Sequence, residues 1–121
     1  TGPFIQYTHA RIKSILRKAS ELSISPDFSG APLIQKEVEI IKLLNNFPEK
    51  VGEAGEAHSP ALIANYAYEL AKEFNQYYHE VSILKEENLM ARSQRLVLID
   101  SIARVLSKAM GILGITLPER M

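Results

Sequence analysis

Residues 59–80, Ser59-Pro60-Ala61-Leu62-Ile63-Ala64-Asn65-Tyr66-Ala67-Tyr68-Glu69-Leu70-Ala71-Lys72-Glu73-Phe74-Asn75-Gln76-Tyr77-Tyr78-His79-Glu80, read as one long amphipathic helix. Ile63, Tyr66, Ala67, Leu70, Phe74, Tyr77 and Tyr78 recur at steps of three and four, which gathers them on one apolar stripe. Ser59 before Pro60 is a start signal, because a hydroxyl can cap the first turn and proline needs no donor there. A stripe of this width must be buried against other elements, and no alternating strand pattern of useful length occurs in the chain. The predicted fold is therefore all-α, a bundle of about five helices.

The flanking segments supply the partners. Ile12, Ile15, Leu16, Ala19 and Leu22 make Ile5 to about Leu22 an amphipathic helix. Two prolines and a glycine between Ile24 and Pro32 remove donors and favour turns, so a loop is expected there. A second helix is predicted from about Leu33 to Asn45, with Ile34, Val38, Ile41 and Leu44 inward. Phe47 and Pro48 break and restart the chain. Glu49 to Ala57 then reads as a short helix weakened by Gly52 and Gly55, each about 1 kcal/mol worse than alanine. Val81 to Asn88 is polar enough to be a connection. The last helix, about Leu89 to Leu113, is expected to bury Leu96, Ile99, Ile102, Ala103, Leu106, Met110 and Leu113. Gly114 stands where a left-handed terminating residue is wanted, with Pro118 shortly beyond.

Composition narrows the function. At 121 residues and 46% apolar content, residues 1–121 can fill a single core as one domain. Fourteen basic residues balance fourteen acidic ones, so bulk charge supplies no general attraction to nucleic acid or anionic membrane. Any RNA contact must come from local patches, and neither DNA nor a membrane is an expected partner. The absence of cysteine excludes disulfides and thiolate metal sites and fits a reducing cytoplasm. No apolar run reaches membrane-spanning length, and Thr1-Gly2-Pro3 is not a charged leader before an apolar block, so the chain reads as soluble. His9, His58 and His79 are the three histidines, and none forms a metal-binding pair on one helix face. There is no phosphate-binding glycine loop and no nucleophile elbow. Nothing here supports catalysis or metal binding within this segment.

One surface of the first helix carries an aromatic and two cationic lines, a mixture that suits a single-stranded loop better than a duplex. On the first helix Tyr7, Arg11 and Lys18 share a row, and His9, Lys13 and Arg17 form a second row beside it. Single-stranded loops are read by splaying bases onto aromatic or guanidinium planes with cations on the phosphates. The plainer reading is that Tyr7 closes the core and the charges are a solvated face. A second cluster, Phe74-Asn75-Gln76-Tyr77-Tyr78-His79, is dense in rings, but Phe74 and one of Tyr77 or Tyr78 fall on the core stripe. At most one tyrosine is left to face a ligand. Arg95 is expected to pair with an acid in the preceding connection, and Asp100 with Arg104, worth only a few tenths of a kcal/mol when exposed.

The start Gln6-Tyr7-Thr8-His9-Ala10-Arg11, the block Ala91-Arg92-Ser93-Gln94-Arg95-Leu96-Val97-Leu98-Ile99-Asp100 and the tail Leu113-Gly114-Ile115-Thr116-Leu117-Pro118-Glu119-Arg120-Met121 together resemble the carboxy-terminal anticodon-binding domain of arginyl-tRNA synthetases, the DALR family. The resemblance spans nearly the whole chain. It implies that Tyr7 and Arg11 lie against the anticodon loop, that Tyr78 belongs to the anticodon pocket, and that Met121 packs at the loop. Many relatives carry a bulky ring four residues after Tyr78, where this chain has Ser82. His9 matches the motif as well, although its plainer role is structural or solvated. The family's middle-anticodon cytosine would offer an amino donor, and a backbone carbonyl or a side chain could accept it. The nucleotide-binding signatures of the family are missing. The resemblance thus implies the last domain of a larger arginine–tRNA ligase, whose catalytic domain is a partner in the same parent chain and uses ATP and Mg, while this segment carries no cofactor. The rival expectation is a helical module that takes an amphipathic partner helix in an apolar groove.

Overall fold

The computed structural model describes residues 2–121, so Thr1 of the expected non-leader start lies outside the described residues. Five helices follow in order: α1 (Gly2–Glu21), α2 (Gln35–Asn45), α3 (Phe47–Ala57), α4 (Pro60–Glu80) and α5 (Leu89–Ile112). No strand is present among the described residues. The apolar stripe between Ile63 and Tyr77 decides the architecture, because α4 packs against all four other helices. Ile63, Ala67, Leu70, Ala71, Phe74 and Tyr77 are sealed in the core with Ile5 and Ile12 of α1, Ile40 of α2 and Leu96, Ile99, Ile102 and Leu106 of α5. Each large apolar side chain so buried contributes about 1.5–3 kcal/mol.

Several expectations are corrected. The first helix starts at Gly2 rather than Ile5, and the third at Phe47 rather than Glu49, with Asn46 alone between α2 and α3. Leu22 is exposed, because the chain turns away at Ser23 before that position can face the core. On α2, Ile34 lies outside the helix and is exposed, Val38, Ile41 and Leu44 are half-buried, and Ile40 is the sealed residue. Leu113 is likewise only half-buried. Ser59 precedes Pro60 as expected, yet its hydroxyl makes no capping bond. The side-chain cap is found instead on α5, where Asn88 Oδ1 accepts from the Ala91 N–H at 3.0 Å.

Three helices end in the same hydrogen-bond pattern. At the end of α5, Ile115 N–H donates to Met110 O and Gly114 N–H to Gly111 O, with Gly114 at φ +78° as expected. The same pair of bonds closes α1 around Ser23 and α3 around His58, whose φ values are 59° and 50°. Those two residues carry a Cβ in the left-handed region, a conformation that costs about 1–2 kcal/mol.

A buried ionic centre locks four segments together. Glu37 is buried, and its carboxylate accepts from Tyr77 Oη at 2.7 Å, Arg95 Nε at 3.0 Å and the Ile34 N–H at 2.9 Å. Arg95 also donates to Glu86 at 2.7 Å, the acid of the preceding connection that the sequence suggested. Burial first, then the bond to Glu37, drives the Tyr77 hydroxyl far above the usual tyrosine range. The Asn88 N–H, and after it Arg95, holds the Glu86 carboxyl below its ordinary value. The Asp100–Arg104 pair also forms, at 2.8 Å.

Candidate nucleic-acid interface

The stretch of α1 from Tyr7 to Arg17 and the tail that follows α5 meet on one face. After the left-handed turn at Gly114, the tail runs back over α1 and is tied there at successive points. Leu117 is buried in the core. The Pro118 carbonyl accepts from His9 Nδ1 at 2.7 Å, and because a carbonyl can only accept, that bond fixes the proton on Nδ1. The Glu119 carbonyl accepts from Arg17 at 3.0 Å, and its carboxylate lies 3.6 Å from Lys13 Nζ. These ties deliver Arg120 and Met121 to the flank of α1. There, Tyr7, Arg11, Ser14, Arg17, Arg120 and Met121 line a cavity of about 460 Å³.

The two large apolar groups of this recess face solvent. Tyr7 is 61% exposed and Met121 63%, so neither serves the core. Exposure of a ring and a thioether side by side is unfavourable in water and suits a flat apolar ligand such as a base. Arg11 is held rather than free. Its guanidinium lies 4.8 Å from the centroid of the Tyr78 ring and donates to Asn75 Oδ1 at 2.6 Å. Asn75 is fixed in turn, its amide donating to Thr8 Oγ1 and to the Ala71 carbonyl, each at 2.8 Å. Tyr78 stacks on Phe74 with centroids 5.9 Å apart. Arg11, Tyr78 and Phe74 therefore form a ladder from solvent into the core, with a planar cation beside the recess.

The residues singled out from the sequence divide between two neighbouring recesses. Tyr7, Arg11 and Met121 come together in the first. Lys18, predicted on the same row, lines a second recess together with Tyr78, and Ser14 borders both. Seven residues from Arg11 to Lys18 is two turns along α1, enough to carry the lysine past the Tyr78 ring. The second cationic row is not a free surface: His9 is buried, and Lys13 and Arg17 secure the tail. Of the tyrosine pair, Tyr77 is the sealed one and Tyr78 is 38% exposed. Sequence reasoning missed Asn75, whose only local signal is its place beside Phe74 in the ring-rich cluster. It also missed Glu37, a carboxylate on an apolar stripe.

Among the described residues no group of three or more His, Asp or Glu side chains converges in a way that could hold a metal ion. No helix of the structure is long and apolar enough to cross a membrane.

Comparison with known proteins gives consistent matches. The family model described as DALR anticodon binding domain matches residues 5–121. The chain is 50% identical to an arginine–tRNA ligase of Phocaeicola vulgatus, an alignment that takes in all of this chain and 20% of that protein. It is also 50% identical to the ligase of Flavobacterium psychrophilum, with the same coverage. Among solved structures, the arginyl-tRNA synthetase of Thermus thermophilus superposes with a TM-score of 0.89 at 35% identity, over 100% of this chain and 21% of that one. The chain thus spans about a fifth of the length of the relatives it matches.

Proposed function

The chain belongs to the DALR anticodon-binding domain family, and on that premise we propose that it binds the anticodon loop of arginine tRNA as the carboxy-terminal domain of an arginine–tRNA ligase. The observation that carries the reading is the recess in which an exposed ring, an exposed thioether and a braced guanidinium converge from opposite ends of the chain. Tyr7 and Met121 offer apolar surface to an unpaired base, and Arg11 offers a plane and a positive charge. Stacking on such groups is worth about 1–3 kcal/mol per base. Tyr78 acts from below by supporting Arg11, and Lys18 supplies charge from the adjoining recess. With a net charge of zero, this local grouping rather than the whole surface must attract the RNA.

The attachment of arginine to the tRNA would fall to the catalytic domain of the parent enzyme, which would hold ATP and Mg. This domain's own residues position the anticodon, exclude water from the seated base and restrain its phosphates. The reading is tested by titrating the chain with anticodon stem-loops of arginine tRNA. A stem-loop with the middle anticodon base changed should bind more weakly than the natural one, and Arg11→Ala should weaken binding and flatten its salt dependence while helix content stays intact. Equal affinity for both stem-loops would favour a helical protein-interaction module instead.

A further inference from the structure

We propose that the second recess, beyond Tyr78, is an RNA subsite of its own, which takes the phosphodiester linkage next to the base seated at Tyr7 and Arg11. This inference rests on the anticodon-loop reading above and extends it to a site with different chemistry. The recess, about 500 Å³, is lined on its polar side by Ser14, Lys18, Tyr78, His79, Ser82 and Lys85, and no carboxylate lines it. Lys18 comes from α1 and His79 from the last turn of α4, while Ser82 and Lys85 come from the connection between α4 and α5.

Three features of this recess suit a phosphodiester. First, its two ammonium groups are unspent: among the described residues, neither Lys18 nor Lys85 is engaged in an ion pair, whereas Lys13, Lys36, Lys50, Arg95 and Arg104 each hold an acid. Second, the lining combines two ammonium groups and two hydroxyls with the edge of a braced ring, which is a donor set for phosphate oxygens beside a surface for a sugar or base. Third, the two recesses are contiguous. Ser14 borders both, and the Tyr78 ring stands in this one while it supports the Arg11 guanidinium of the other. A strand that lays a base against Arg11 can carry its next phosphate past Ser14 into the recess that Lys18 and Lys85 line. That continuity favours a polynucleotide over an isolated anion. Ser82 keeps the recess open, since a large side chain there would fill it.

The test compares the wild-type chain, Lys18→Gln/Lys85→Gln, Ser82→Phe, and a control, Lys42→Gln/Lys72→Gln, that removes the same charge from exposed positions elsewhere on α2 and α4. Binding of the arginine anticodon stem-loop is measured by fluorescence anisotropy from about 50 to 200 mM salt, and folding is checked by circular dichroism. Each phosphate neutralised on a single strand contributes about 0.7 to the slope of log affinity against log salt, so the double lysine variant, which releases the one phosphate in this recess, should be shallower by about 0.7. The control should retain the wild-type slope. Ser82→Phe should weaken binding at least as much as the double lysine change while preserving discrimination at the middle anticodon base, because the first recess is untouched. A double lysine variant with the control's slope, or a Ser82→Phe variant of wild-type affinity, overturns the second subsite and leaves the anticodon reading standing. A wild-type chain that binds no stem-loop overturns both.

Discussion

Asn75→Ala isolates the value of bracing Arg11. Asn75 makes no contribution to the recess surface, yet its Oδ1 accepts from the Arg11 guanidinium at 2.6 Å while its amide is anchored to Thr8 and Ala71. Truncation leaves the guanidinium above Tyr78 with no lateral restraint. An arginine that must be ordered on binding costs about 0.5–1.5 kcal/mol, which at 1.4 kcal/mol per decade is about a 2- to 10-fold loss of affinity for the anticodon stem-loop. The fold should lose only about 1 kcal/mol, since Thr8 Oγ1 keeps its own bond to the Phe4 carbonyl and the Ala71 carbonyl stays in its helix. Two assays are needed. Anisotropy titration gives the affinity, and proton NMR of the free chain reports the ring-current shift that Tyr78 imposes on the Arg11 side chain. The expected result is weaker binding together with Arg11 resonances moved toward solvent values, and no further loss when Asn75→Ala is combined with Arg11→Ala. Unchanged Arg11 resonances would refute the bracing argument whatever happened to affinity.

Other consequences concern the fold that carries the site. Glu37→Ala strands the Tyr77 hydroxyl and leaves Arg95 with Glu86 alone, so urea unfolding should show a loss of about 3–5 kcal/mol; a loss below about 1 kcal/mol would mean that the centre is not tightly coupled. His58→Gly relieves a left-handed residue at the end of α3, and after the entropy of glycine is subtracted the melting point should rise by the equivalent of about 0.5–1 kcal/mol. Tyr66, whose hydroxyl donates to the Leu43 carbonyl at 2.6 Å, is pushed up by burial from 10.0 to about 12. The folded state thus holds its proton more tightly than the unfolded one, so its contribution is complete below pH 10 and is lost as pH rises through 12. Tyr77 is shifted in the same direction, so Tyr66→Phe should reduce the alkaline fall in stability measured by denaturant titration without abolishing it.

What the sequence determined by itself was the set of helices and the chemistry at the two ends of the chain. Period-3.6 patterning, a proline after Ser59 and a glycine at 114 are local signals, and each acts over a single turn or a few turns, so α4, α5 and the left-handed stop after α5 could be read directly. The motif around Tyr7 and the Pro-Glu-Arg-Met tail supplied the residues that meet in the first recess, and a pairing of Arg95 with an acid of the preceding connection was legible because the two lie within a few turns of sequence. How those groups sit together was set by the packing of distant segments. Lys18 fell on the Tyr7 row by periodicity, but the packing of α4 on α1 put the Tyr78 ring between them and made two recesses of one face. His9 looked like part of a cationic line until the tail crossed α1 and captured its ring nitrogen with the Pro118 carbonyl, 109 positions away. The local signs at Glu37 and Asn75 were too weak to assign their roles, because the partners that define those roles, Tyr77 and Arg95 for one and Arg11 and Thr8 for the other, are brought together only by folding.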